Sequence, residues 1–152
     1  MAADARLTTL ADQLVALFNR KGMDLPDGLF DRHTQFLLNG VPFEEMLGRS
    51  PKDPLVLMIA RGPAGYRFAA KALQHAVPDA RVERGEIEAA TDDATAFVLP
   101  LWLSGRLRGV DQPIEVVMRV TVRMAASGAV ARADVALDEA QVARLRQARL
   151  SE

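Results

Sequence analysis

The sequence predicts an α+β domain: N-terminal helices wrapped by a curved antiparallel sheet, forming a half-open cone with a pocket inside. Three observations carry this. Apolar residues recur at helical spacing over much of the first half. A Pro78-Asp79 break closes the helix that begins near Pro63. From Ala80 onward the period drops to two, the mark of half-buried strands.

The elements follow in order. Leu7, Leu10, Ala11, Leu14, Val15 and Phe18 form one stripe of a first helix. It should stop near Asn19-Arg20-Lys21-Gly22, where cations meet the negative helix end and Gly permits a left-handed cap. Leu25-Pro26-Asp27-Gly28 is turn chemistry, with one short helical turn expected through Asp31. His33 to Leu38 reads as a short strand stopped by Asn39-Gly40. Val41 to Leu47 suits a short helix, with Pro near its start and two acids in its first turn. Leu55 to Ala60 fits a buried helix or a buried strand. The Asp53-Pro54 start, cap followed by Pro, favours the helix.

After the joint, Thr91 to Ala94 reads as a hairpin turn between strands at 86–90 and 96–103. Gly109 to Pro113 is the next turn. Ile114 to Met124 alternates cleanly, with Val116, Met118, Val120, Val122 and Met124 on one face. Glu115, Val117, Arg119, Thr121 and Arg123 share the other. Ala126-Ser127-Gly128 turns the chain into a last strand over 130–135. Asp138 with Gln141 resembles a capping box opening a short helix that carries Val142 and Leu145.

Composition narrows the function classes. A chain of 152 residues fits one domain, spanning 1–152. A net charge of −1, with one Trp, one Tyr and no basic run, offers no footprint for nucleic acid. The absence of Cys removes disulfides, thiolate metal sites and a thiol nucleophile. No secretory signal is evident and the longest apolar stretch is too short for a bilayer, so a soluble cytoplasmic protein without a membrane partner is expected. No phosphate loop or nucleophile elbow is present, and no cofactor is implied.

The order of elements resembles the nuclear transport factor 2-like superfamily, nearest its polyketide-cyclase-like (SnoaL-like) and steroid-isomerase-like members. The residues carrying the likeness are Gly62-Pro63, the helix to His75, the segment 77–83 around Pro78-Asp79, and Ser127-Gly128-Ala129-Val130. Leu47 to Arg61 stands out as an extra or altered segment. The resemblance implies a cone-shaped sheet, a homodimer formed through that sheet, and functions that range from isomerases, dehydratases and cyclases to non-catalytic binding domains. Fold alone constrains function weakly.

Enzymes of this superfamily often carry an acid on the last long strand, which makes Asp134 the candidate general base. An ungapped count from Gly128 to Asp138 puts Val135 at that position. A one-residue slip reverses the facing of every side chain, so a surface carboxylate near Arg132 or Arg123 is the favoured reading. Arg119 could orient a carbonyl or anionic ligand, or lie on a solvated or dimer-facing sheet surface. Tyr66 and Trp102 each offer a ring and one hydrogen-bonding group to a pocket, or fill core. His33 at the first strand and Asn39 at its end complete the ligand-binding candidates. His75 suits a helix C-terminus, and neither histidine has a partner at metal-ligand spacing. Glu44-Glu45 and Asp92-Asp93 read as solvated charge.

Three functions remain in competition. One is binding of a small apolar organic molecule. Another is isomerase, cyclase or dehydratase chemistry on a carbonyl compound, with Asp134 as base. The third is a dimeric interaction module.

Overall fold

A computed structural model describes residues 2–46, 54–89, 95–110 and 112–150. Helix α1 (Ala2–Asn19) carries the expected stripe toward the core, with Leu17 almost wholly buried. Its end differs in one respect. The left-handed residue is Lys21, at φ 57°, one position before the expected glycine. The Lys21 N–H bonds to the Phe18 carbonyl at 3.0 Å and the Gly22 N–H to the Leu17 carbonyl at 2.9 Å, closing the last turn. Gly22 serves packing instead, since a Cβ there would come within 2.6 Å of Leu17 Cδ1.

Strand β1 (Phe30–Leu38) starts three residues earlier than the sequence indicates, and the helical turn through Asp31 does not form. The cause is non-local. Phe30 pairs with Val130, and the Val130 N–H donates to the Leu29 carbonyl at 2.8 Å. The fully buried Thr34 hydroxyl donates to the Val130 carbonyl and accepts the Asp31 N–H. Asn39 and Gly40, both at positive φ, turn the chain into β2 (Val41–Pro42). Phe43–Glu45 then makes one 3-10 turn in place of the short helix expected there. Leu47, the end of that expected helix, and Asp53 lie outside the described residues.

Helix α2 (Pro54–Ala60) forms as the Pro start favoured, and α3 (Gly62–Ala76) follows at once. Their junction passes over β1 so tightly that a Cβ on Gly62, at φ 66°, would lie 2.9 Å from the Asp31 carbonyl oxygen. The Pro78-Asp79 joint ends α3. The Asp79 carboxylate accepts the Arg106 N–H at 2.8 Å, tying the joint to the sheet.

The remaining strands are β3 (Arg81–Arg84), β4 (Glu88–Ala89), β5 (Ala96–Arg106), β6 (Pro113–Met124) and β7 (Val130–Ala136). The hairpin turn expected at Thr91–Ala94 lies outside the described residues. Seven strands make one curved, unclosed sheet in the order β2-β1-β7-β6-β5-β3, with β4 also on β5. Neighbours run antiparallel except β1 and β7, which are parallel. Parallel partners need a long crossover. Here the whole of α2, α3 and the meander from β3 to β6 intervenes.

On β6 the alternation holds. Ile114, Val116, Met118 and Val120 are buried against the helices, while Glu115, Val117, Arg119 and Thr121 are exposed. Helix α4 (Glu139–Leu150) is capped by Asp138, whose carboxylate accepts the Ala140 N–H at 2.7 Å. Gln141 does not complete the box. Its amide donates to the Glu115 carbonyl at 3.4 Å. Val142 and Leu145 are buried as expected. Among the described residues, no helix is long and apolar enough to cross a membrane.

Candidate functional site

The stripe of α1, the inner face of α3 and the concave face of the sheet do not meet completely. They leave a cavity of about 210 Å³. Leu10, Leu14 and Phe18 roof it from α1, Ala70 and Leu73 line it from α3, and Leu99, Met118, Val120, Ala133 and Val135 form its floor. One end is walled by rings. Phe30 and Phe36 pack edge to face at 5.3 Å, Phe36 stacks on Phe43 at 5.7 Å, and Phe30 stacks on Tyr66 at 6.1 Å.

Among the described residues that line the cavity, Tyr66 alone carries a hydroxyl, amide or charged side-chain group. It is 9 % exposed, and its hydroxyl is buried without a hydrogen-bond partner. Burial pushes the phenol up to about 12, because the phenolate would lose its hydration in these surroundings. At neutral pH it is therefore a hydrogen-bond donor.

The other candidates lie elsewhere. Val135 pairs with Val120 and Asp134 with Thr121, so Val135 faces the cavity and Asp134 the outer side of the sheet. There its Oδ1 accepts the Gly40 N–H at 3.1 Å. A bulge at the start of β7 sets this facing. Met124 pairs with Val130 but Arg123 pairs with Arg132, leaving Ala131 over. The extra residue lets Val130, Ala133 and Val135 all look inward. Asp134 is not among the residues that line this cavity, where a general base acting on a bound molecule would have to stand.

Asn39 is a clamp. Its Oδ1 accepts the Leu137 N–H at 2.9 Å, and its Nδ2 donates to the Leu137 carbonyl and to Glu139 Oε1, each at 2.9 Å. Both ends of the amide are used in joining β1 to the start of α4. His33 is exposed on β1, its ring nitrogen accepting from Arg32 at 3.2 Å. Trp102 and Arg119 belong to the outer sheet face. Trp102 covers Gly85, and Arg119 pairs with Glu88 at 3.2 Å. Alternation along β5 and β6 directs both away from the cavity.

One pair escaped the sequence reading altogether. Glu44 is buried, not solvated, at 5 % exposure, and its Oε1 receives Arg61 Nη2 at 3.0 Å. The 3-10 turn points Glu44 toward the α2–α3 junction, where Arg61 stands. No local signal marks a pairing across seventeen residues. Among the described residues, no group of three His, Asp or Glu side chains is arranged to hold a metal ion.

No protein-family model matches the chain, and no curated protein matches it by sequence. Solved structures match it in shape. AclR of Streptomyces galilaeus, assigned as a hydroxylase, superposes with a TM-score of 0.64 at 15 % identity, covering 98 % of this chain and 89 % of that one. An NTF2-like protein of Exiguobacterium sp. 255-15 gives 0.60 at 12 %, covering 86 % and 98 %. A protein of Jannaschia sp. CCS1, assigned as a SnoaL-like polyketide cyclase, gives 0.58 at 14 %, covering 90 % of each chain. At such identities the likeness speaks to the fold and not to the chemistry. The helices, the joint, the curved sheet and these neighbours agree: this chain has the nuclear transport factor 2-like fold, in the form shared by SnoaL-like and ketosteroid isomerase-like proteins.

Proposed function

We propose that the protein binds a small apolar organic molecule in the cavity between α1, α3 and the sheet. The observation that carries this is the cavity itself, about 210 Å³, lined by apolar side chains and partly open to the outside. Unfilled space in a core forfeits dispersion contacts and costs stability. A ligand that fills it recovers those contacts and buries its own apolar surface. Solved neighbours of the same fold include a complex with polyporic acid and an epoxide hydrolase/cyclase-like enzyme of pyran ring formation, which supports a ligand-holding role for this cone.

Among the described residues, those lining the cavity include no carboxylate or imidazole. Binding is thus the reading they support, ahead of base-catalysed isomerisation. The test is thermal unfolding with and without the bicyclic hydrocarbon tetralin. Wild type should be stabilised progressively with concentration, by about 2.7 kcal/mol at a hundredfold excess over Kd. Ala133→Leu, which fills the floor, should lose that response. An unchanged wild-type transition would end the reading.

A second proposal concerns the outer sheet face, as a homodimer surface. Trp102 and Val117 are cross-strand partners, 40 % and 58 % exposed. Glu115 and Arg119 flank Val117 symmetrically on β6, so a two-fold axis near Val117 would set each acid against the other copy's guanidinium. Sedimentation equilibrium should give a dimer for wild type and a monomer for Val117→Lys. A monomeric wild type at high concentration would refute it.

A further inference from the structure

We infer that the cavity takes a straight alkyl or acyl chain of about eight carbons, tail first, and leaves the chain's polar head in water. This rests on the binding reading above and adds the ligand's shape and direction of entry to it.

The shape follows from which inward side chains reach the cavity. On β6, Met118, Val120, Val122 and Met124 all line it. That row rises roughly 20 Å along the strand. On α1 the lining runs from Leu7 to Phe18, a rise of roughly 16 Å along the helix. Side chains at both ends shorten the void, yet it remains longer than it is wide. Spread over even half of that span, the volume leaves a slot roughly 5 Å across, room for one carbon chain at a van der Waals spacing of about 3.5–4.0 Å and not for two abreast. Tetralin occupies only part of such a length, so a chain makes more contacts than it does.

The direction follows from the two ends. Beyond Met118 come Val116 and Ile114, and beyond Leu101 on β5 comes Leu103; all three are buried and none lines the cavity. With Val77 they close the slot, and Leu101 and Met118, cross-strand partners, stand at its inner limit. At the other end Leu7, Phe97, Val122 and Met124 are only half-buried. A chain therefore enters past these four and stops against Leu101. Its head stays outside, because an ionised or strongly hydrated group among apolar side chains would lose its hydration with nothing in return.

The length follows from the volume. If roughly 150 Å³ holds the six carbons of benzene, a cavity of about 210 Å³ holds about eight.

The experiment is titration calorimetry at pH 7 with hexanoate, octanoate, decanoate and 2-propylpentanoate, the last a branched isomer of octanoate. Octanoate should bind about fifteenfold tighter than hexanoate, since both added methylenes are buried. Decanoate should gain less than about fourfold more, because its extra methylenes lie at the mouth. The branched isomer should bind at least about tenfold more weakly than octanoate, as its second branch has no room beside the first. Leu101→Trp, which shortens the slot from its closed end, should weaken octanoate and spare hexanoate. Equal affinities for octanoate and its isomer would overturn the straight chain while leaving apolar binding intact. So would tetralin binding with no binding of octanoate. Octanoate affinity unchanged in a folded Leu101→Trp would overturn tail-first entry. Failure of tetralin and of all four acids would overturn this inference and the binding reading together. The wild-type series decides the matter even if the variant does not fold.

Discussion

Val135 of β7 stands opposite Val120 of β6, and this pairing decides which side chains of the last strand reach the cavity. Its neighbour Asp134 is carried to the outer face, where it accepts the Gly40 N–H. Asp134→Asn keeps that acceptor. It should change stability by less than about 0.5 kcal/mol and leave tetralin binding as in wild type. A loss of binding, read by calorimetry, would return the residue to the site.

Tyr66 is the sole tyrosine of the chain, so tyrosinate absorbance reports it alone. Its midpoint should lie near 12 in the folded protein, against 10.0 for an ordinary phenol. The folded-state value is raised above the unfolded one. The associated stability is therefore fully present below pH 10 and is lost as pH rises from 10 toward 12. Tyr66→Phe should lack this component of the alkaline loss. A folded-state midpoint at 10 would show that the hydroxyl is hydrated.

The Asn39 clamp joins residues 98 apart in sequence. Asn39→Ala removes its bonds to Leu137 and places a Cβ-bearing aliphatic residue at φ 50°. A loss of about 1–3 kcal/mol in urea unfolding is expected. Ligand affinity should persist under native conditions. A matching loss of affinity would restore Asn39 as a ligand contact.

Glu44 and Arg61 form a pair in which the carboxylate is buried and the guanidinium side chain is 36 % exposed. Arg61→Met should cost about 1–3 kcal/mol, less than for a fully buried pair because solvent reaches the lost charge's site. Glu44→Met in the same chain should recover much of that loss, since the stranded carboxylate goes with it. Additive losses in the double-mutant cycle would show that the two do not interact.

How much of this was legible in the sequence depends on range. The inner face of β6 and the stripe of α1 were readable because their periodicity is local. So was the Asn39-Gly40 turn, since both residue types tolerate positive φ. The early start of β1 was not, because Phe30 is strand only by virtue of Val130. Two adjacent acids at 44 and 45 look solvated until Arg61 is brought beside the first. The helical spacing of Tyr66 fits plain core as well as a pocket wall. Only the unfilled volume around it separates those roles, and volume is a property of all the walls together.

Methyl NMR with tetralin tests the central claim most directly. Saturable shifts are predicted at the methyls of Leu14, Leu99, Met118, Val120 and Val135, which line the cavity. Exposed Val110 and Val117 should stay unmoved. Shifts at Val117 with none inside, or no saturable shift at all, would contradict a ligand-binding cavity.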